Sequence, residues 1–102
     1  MLDIKQLQKE IVENKKNHGF NTTDINKEFC LLYGEVSESY NAFLKEKPDF
    51  GEELADVAIY LLGIAELTNI DLESEILQKV EKNKNRTYKK CGDAFVKEDE
   101  NV

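Results

Sequence analysis

Apolar residues recur along the chain at steps of three and four, the spacing of helices that bury one face. No segment shows the alternation of a strand, so an all-α protein is expected. The pattern predicts an antiparallel four-helix bundle, with helices over residues 3–17, 23–46, 50–68 and 72–86.

The ends of the predicted helices coincide with capping and breaking residues. Thr22 or Thr23 can cap the second helix, and Pro48 disfavours helical geometry just before the third. Asp49 and Glu52 have the spacing of a capping box at the start of the third helix.

The third helix contains a run of twelve residues, 54–65, in which Asp56 is the only charge. Such a run is expected to be largely buried, and a lone buried carboxylate costs several kcal/mol unless a cation or a strong hydrogen-bonding partner is near. The run is also more apolar than a small bundle requires. We therefore expect completion of the bundle by oligomerisation, as a dimer or a higher oligomer, the alternative being that this is the central helix of a monomer.

Length and charge narrow the class of protein. The 102 residues predict a single domain over residues 1–88, followed by a partly disordered tail over residues 89–102. A net charge of −7 argues against binding a long nucleic acid. The polar start of the chain and the lack of a long apolar run predict no signal peptide, no membrane association and a cytoplasmic location. Cys30, beside Phe29 and Leu31, is expected to be a buried free thiol.

Two pairs of carboxylates are candidates for a metal site. Glu35 and Glu38 share one helix face, as do Glu53 and Asp56, and the turn over 47–50 can bring the pairs together. Two carboxylates about 5 Å apart repel by roughly 3 kcal/mol at an effective dielectric constant near 20. Mg²⁺, with Mn²⁺ as a possible substitute, would relieve that repulsion. A di-iron site is disfavoured because the chain has no Glu-x-x-His, and a zinc site because it has a single histidine.

Basic residues concentrate near the end of the fourth helix. One face carries four residues that suit phosphate oxygens, namely Lys79, Lys82, Asn83 and Arg86. Cations near a helix C-terminus also favour the macrodipole, so a solvated face is the alternative.

Taken together, these segments resemble a known family. Glu35-Val-Ser-Glu38 followed by Glu53-Leu-Ala-Asp56 resembles the E-x-x-E…E-x-x-D signature of the MazG-like nucleotide pyrophosphohydrolases. The stretch from Lys79 to Tyr88 is similar to the K-x-x-x-N-x-x-R stretch that ends many of these domains. The resemblance covers roughly residues 25–90.

The resemblance implies an all-α, oligomeric enzyme that cleaves a nucleoside triphosphate between the α- and β-phosphates with Mg²⁺. The implied metal ligands are Glu35, Glu38, Glu53 and Asp56, with Glu35 or Glu38 activating water. The implied phosphate contacts are Lys79, Lys82, Asn83 and Arg86. Many members have a further acidic residue where this chain has Gly34.

Two other interpretations remain open at this stage. One is a related enzyme class, the helical phosphoribosyl-ATP pyrophosphatases. The other is a non-catalytic helical dimerisation or interaction module, in which Lys or Arg neutralises the acidic pairs. Several aromatic residues could stack on a base, although core packing is the simpler role for each: Phe20, Phe29, Tyr33 and Tyr60.

Overall fold

In the residues that the structure describes, the protein is mostly helical, with four helices and one small sheet. The computed structural model describes residues 1–92 and 94–98. The elements are α1 (Ile4–Asn17), α2 (Ile25–Leu44), α3 (Phe50–Leu67), α4 (Leu72–Lys84), β1 (Tyr88–Cys91) and β2 (Ala94–Lys97). The chain divides into two compact units, Met1–Leu72 and Glu73–Val102. The sequence did not predict this division.

Aspartates cap the first two helices. Asp3 accepts a hydrogen bond from the backbone of Gln6 at 3.0 Å, and Asp24 accepts one from Lys27 at 3.1 Å. The expected cap by Thr22 or Thr23 is wrong, because the side chain of Asn21 binds the backbone N–H of Asp24 and turns the chain there.

The expected capping box of α3 is also wrong. Asp49 is the N-cap residue, but its side chain makes no capping hydrogen bond. Its carboxylate belongs instead to the acidic environment described below.

In the first unit, α3 packs against both α1 and α2. The buried apolar side chains are contributed by all three helices, and they are Val12, Leu32, Ala42, Leu62, Ile64 and Ala65. At Gly63 the helices α1 and α3 approach closely, since a Cβ atom there would lie 3.5 Å from Ile11 Cγ2.

The apolar run of α3 is only partly buried in the single chain. Residues 62–65 are buried, whereas Leu54, Ile59 and Leu61 are 44–49% exposed. The prediction of a largely buried helix is therefore wrong for the single chain. Apolar residues lie on all sides of α3, but the neighbouring helices cover only one side of it.

A buried glutamine ties α1 to the turn that follows α3. Gln8 is 2% exposed, and its side-chain amide donates to the carbonyl of Ile70 at 2.9 Å. Its side-chain oxygen accepts from the backbone of Leu72 at 3.0 Å. Both polar ends of this side chain are thus satisfied, which fixes the end of the first unit on α1.

The second unit contains α4 and a β-hairpin. β1 and β2 pair antiparallel, with Tyr88 opposite Lys97 and Cys91 opposite Ala94. Gly92, at φ 63°, supplies the left-handed conformation at the turn. The prediction of no strands is wrong here, because four-residue strands are too short to show a clear alternation. Part of the expected disordered tail, residues 99–102, lies outside the described residues.

Two further expectations concern exposure. Cys30 is exposed, which contradicts the expected buried thiol. It lies two positions from buried Glu28 and therefore projects from another side of α2. Among the described residues, no helix is both long and apolar enough to cross a bilayer.

Candidate metal centre

The short connection between α2 and α3 brings three of the predicted carboxylates together. Glu35 and Glu38 lie in the second half of α2, and Glu53 lies in the first turn of α3. One carboxylate oxygen from each residue lies within 4.8 Å of the other two. The prediction that the two helices gather their acidic pairs at one place is confirmed for these three residues.

Two of these carboxylates carry buried oxygens that lack a partner. Oε2 of Glu35 and Oε2 of Glu53 are inaccessible to solvent, and neither accepts a hydrogen bond within the part of the chain that the structure describes. An unsatisfied buried oxygen is uncommon in folded proteins, and it costs more when the group is charged. A bound cation would satisfy both oxygens.

Several negative charges act on one another at the cluster. Burial, followed by the charges of Glu38, Asp56 and Glu53 and a hydrogen bond with Glu38, raises the pKa of Glu35. Like charges close together disfavour the ionised form, so these acidic neighbours make Glu35 harder to ionise.

The pKa of Glu53 is raised for similar reasons. Burial is the largest cause, and the charges of Glu38, Asp49 and Asp56 add to it. Lys47 acts in the opposite direction and lowers the pKa, but less than the acidic groups raise it. In the part of the chain that the structure describes, Lys47 therefore does not balance the negative charge around Glu53.

The spacing of the oxygens suits a small divalent ion after slight adjustment. Mg²⁺ binds oxygen at about 2.1 Å, so ligands on opposite sides of the ion lie roughly 4.2 Å apart. The three glutamate oxygens all lie within 4.8 Å of one another, which is close to this separation. Carboxylates on two rigid helices with water in the remaining positions match the ligands that Mg²⁺ and Mn²⁺ prefer.

The fourth predicted ligand, Asp56, lies beside the cluster and not within it. It is exposed, which corrects the expectation of a buried carboxylate, and its oxygens are not among the three that lie within 4.8 Å. Its charge nevertheless raises the pKa of both Glu35 and Glu53, so it lies close enough to contribute to the field.

Asp49 is an acidic neighbour that the sequence analysis missed. Its Oδ1 is buried and without a hydrogen-bond partner among the described residues, and its charge raises the pKa of Glu53. The signal for it was its position one helical turn before Glu53, but that position also fits an ordinary N-cap.

The comparisons with known proteins do not assign a role to this cluster. Comparison of the chain with protein-family models, with curated proteins and with solved structures found no match. The functional argument therefore depends on the residues and their geometry.

The predicted phosphate-binding residues lie in the second unit, Glu73–Val102. Lys79, Lys82 and Asn83 are on α4, and Arg86 follows two residues after its end. The guanidinium of Arg86 donates to Oδ1 of Asn83 at 3.1 Å. Their association with the carboxylate cluster stays a prediction.

A cavity of about 380 Å³ lies in the first unit, among α1, α2 and α3. Glu28 forms part of its wall and is 1% exposed, although it is charged. Its Oε1 forms an ion pair with Lys15, and its Oε2 accepts a hydrogen bond from Asn21 at 3.0 Å. The sequence analysis missed this pair, because Lys15 and Glu28 are on different helices and only the packing of α1 joins them.

Tyr60 connects the cavity with the carboxylate cluster. Its ring lines the cavity, with the ammonium of Lys15 at 5.2 Å from the ring centre. Burial raises the pKa of Tyr60, and so do the charges of Glu35 and Glu28. Its hydroxyl therefore stays protonated at neutral pH and can donate a hydrogen bond.

Proposed function

We propose that this protein is a Mg²⁺-dependent nucleoside triphosphate pyrophosphohydrolase, which cleaves an NTP or dNTP to the monophosphate and pyrophosphate. The observation that carries the proposal is the meeting of Glu35, Glu38 and Glu53 within 4.8 Å, where two of them have buried oxygens without a partner among the described residues. The order of the acidic pairs and the later basic stretch, which resemble those of the MazG-like enzymes, supports the choice of substrate.

Glu35, Glu38 and Glu53 would hold the metal, and Asp56 would join them after a change of rotamer. A bound Mg²⁺ supplies charge neutralisation for the triphosphate and lowers the pKa of water. Mn²⁺ would serve as a substitute because it accepts the same oxygen ligands.

The carboxylates on α2 have a second role in this proposal. Glu35 or Glu38 accepts the proton of the attacking water, whose oxygen forms a new bond to the phosphorus. The bond from that phosphorus to the bridging oxygen breaks, and pyrophosphate leaves with the electron pair.

The basic side chains of the second unit have the charge that the departing pyrophosphate needs. In the proposal they bind phosphate oxygens, Arg86 as a fork and the lysines as point charges. The residues concerned are Lys79, Lys82, Asn83 and Arg86.

Assembly as an antiparallel four-helix bundle in a homodimer or homotetramer is the second part of the proposal. It is supported by large apolar side chains that the single chain leaves exposed along α2, including Tyr33, Tyr40 and Phe43. A second copy would cover such a surface. Nucleotide-pool house-cleaning in the cytoplasm is the physiological role that fits this activity.

The same exposed apolar surface favours one other candidate, a non-catalytic interaction module. In that case the surface binds a partner and the acidic cluster binds no metal. The two candidates differ in an observable way, because only the enzyme requires a divalent ion and a triphosphate.

The test is a panel of NTPs and dNTPs incubated with the full chain, with and without Mg²⁺, and analysed for monophosphate plus pyrophosphate. Glu38→Gln should lower kcat about a hundredfold or more, since it removes a candidate proton acceptor and metal ligand. The matched control is Glu13→Gln, which changes an exposed glutamate that lies on α1. Equal turnover by Glu38→Gln and Glu13→Gln would exclude Glu38 from the mechanism, and no turnover by the wild type would exclude the activity.

A further inference from the structure

The cavity of the first unit combines apolar walls with a buried charged pair. Ile11, Ile59 and Gly63 give apolar surface, and the ring of Phe20 stands at the cavity with 57% of its surface exposed. The polar lining includes the ion pair of Lys15 and Glu28. A pocket that is mostly apolar, with a few converging polar groups, is typical of a small-molecule site.

The position of the cavity relative to the carboxylate cluster is set by two helices at once. Glu28 precedes Glu35 by seven residues on α2, and Tyr60 follows Glu53 by seven residues on α3. Seven residues are close to two turns, or roughly 10 Å along a helix axis. If the phosphates of a ligand lie at the cluster, a group that is joined to those phosphates through one sugar would therefore lie in the cavity.

The charged pair still has hydrogen-bonding capacity to offer a ligand. An ammonium has three donors, and Lys15 directs one toward Glu28 and one toward the face of Tyr60. A carboxylate accepts at about four positions, and Glu28 receives Lys15 and Asn21. The pair therefore presents a donor beside an acceptor. This arrangement can complement the donors and acceptors on the edge of a nucleobase.

We propose that this cavity binds the nucleobase of the substrate, with Phe20 stacking on the base and the Lys15–Glu28 pair determining which base is preferred. The inference rests on the proposed function for the reason that a nucleobase should lie here. The binding itself, however, requires neither the metal nor turnover. It can therefore be tested separately.

The experiment uses nucleosides, which carry a base and sugar but no phosphate. The full chain is titrated with adenosine, guanosine, cytidine, uridine and thymidine in a buffer without divalent ions, and binding is followed by NMR. At least one nucleoside should bind and shift the amide signals of Ile11, Ile59 and Gly63. If no nucleoside binds, or if the shifts lie elsewhere, the proposal is overturned.

Phe20→Ala tests the stacking contact. Base–aromatic stacking contributes about 1–3 kcal/mol, so this variant should weaken nucleoside binding at least about fivefold. Tyr33→Ala is the matched control, since Tyr33 is another exposed aromatic residue of the first unit and does not line the cavity. Equal weakening by both changes would overturn the role of Phe20.

Lys15→Arg tests the choice of base while keeping the positive charge beside Glu28. The different donor geometry of arginine should change the ratio of affinities for the best and second-best nucleoside by about fivefold or more, as expected for altered reading of a base edge. An unchanged ratio would contradict the role of the pair. The circular dichroism spectrum and Tm of each variant show that it is folded.

The outcome separates this inference from the proposed function. Nucleoside binding in the cavity by a chain that does not hydrolyse any triphosphate would support the cavity and overturn the enzyme. Hydrolysis by a chain that binds no nucleoside, with KM unchanged in Phe20→Ala, would support the enzyme and overturn the cavity.

Discussion

Two acidic residues of helix α2, Glu28 and Glu35, lie two turns apart and differ in how their negative charge is balanced. Glu28 is almost completely buried, and both of its oxygens have partners, in Lys15 and Asn21. Glu35 is less buried, yet one of its oxygens is enclosed without a hydrogen-bond partner among the described residues, and its nearest charged neighbours are acidic.

The difference shows that burial of a carboxylate does not by itself indicate a metal site. Glu28 is the more buried group, and a neighbouring side chain already neutralises it. In the cluster of Glu35, Glu38 and Glu53, negative charge converges, and the pKa values of Glu35 and Glu53 are raised. An external cation is therefore expected at the second site and not at the first.

The largest effect should come from removing the cation of the paired site. Lys15→Met leaves Glu28 buried and uncompensated, which should lower the free energy of unfolding by about 3–5 kcal/mol. Chemical denaturation measures the loss. Lys16→Met, at the adjacent exposed lysine, is the control and should change little. Equal stability of the two variants would show that the Lys15–Glu28 pair does not hold α1 in place.

The next largest effect on stability should come from adding Mg²⁺, which we propose binds at the cluster. Mg²⁺ at a hundredfold excess over its Kd should stabilise the folded chain by about 2.7 kcal/mol. For a domain of this size, each kcal/mol raises the Tm by roughly 4–8 °C. Differential scanning calorimetry with and without Mg²⁺ measures the shift.

Glu53→Gln is the variant that sharpens this test. It should remove most of the stabilisation by Mg²⁺, while Glu28 and its partners stay as they are. A Tm that rises equally in the wild type and in Glu53→Gln would place the bound ion somewhere other than the cluster.

A smaller effect is expected from pH in the absence of divalent ions. The pKa values of Glu35 and Glu53 are raised above the ordinary value of 4.5, so the folded state binds more protons than the unfolded state in the window above 4.5. Their contribution to stability is therefore fully present below that value, and it is lost as the pH rises through the raised pKa values.

Unfolding free energies measured over this pH range should show the loss, and Glu35→Gln should reduce it because one titrating group is gone. Saturating Mg²⁺ should also reduce it, since a bound ion favours ionised ligands. The same pH dependence in the wild type and in Glu35→Gln would contradict the assignment of the raised pKa to Glu35.

The smallest effect concerns the backbone beside the cluster. Gly34 lies within α2, and a Cβ atom at this position would meet nothing within 4 Å. Gly34→Ala should thus stabilise the protein by about 0.5–1 kcal/mol and leave the response to Mg²⁺ unchanged.

Gly19→Ala is the matched change and should have the opposite sign, since Gly19 adopts φ 72°. Thermal unfolding of both variants checks the comparison. A destabilised Gly34→Ala would indicate that something beyond the single chain packs closely against this position.

Part of this picture could be predicted from the sequence. The spacing of apolar residues predicted all four helices, because burying one face of a helix demands that period. The three-residue spacing within Glu35–Glu38, together with the break at Pro48, predicted that the acidic groups of two helices would meet, and Glu53 confirms it.

Other features depend on packing that local patterns do not encode. Asp56 was expected to be buried because its neighbours in sequence are apolar, but burial depends on which side of α3 the other helices cover. Lys15 and Glu28 lie on different helices, and they form an ion pair only because α1 packs in the first unit. The hairpin of the second unit is likewise too short to leave a periodic signal.

Direct measurement of Mn²⁺ binding tests the central claim, that Glu35, Glu38 and Glu53 form a site for a divalent cation. The free ion is quantified by electron paramagnetic resonance during titration of the wild type, Glu53→Gln and the control Glu13→Gln. We predict saturable binding by the wild type and the control, displaced by Mg²⁺, and at least about tenfold weaker binding by Glu53→Gln, as expected for loss of a charged ligand. Equal affinity of all three proteins for Mn²⁺, or no saturable binding by the wild type, would contradict the account.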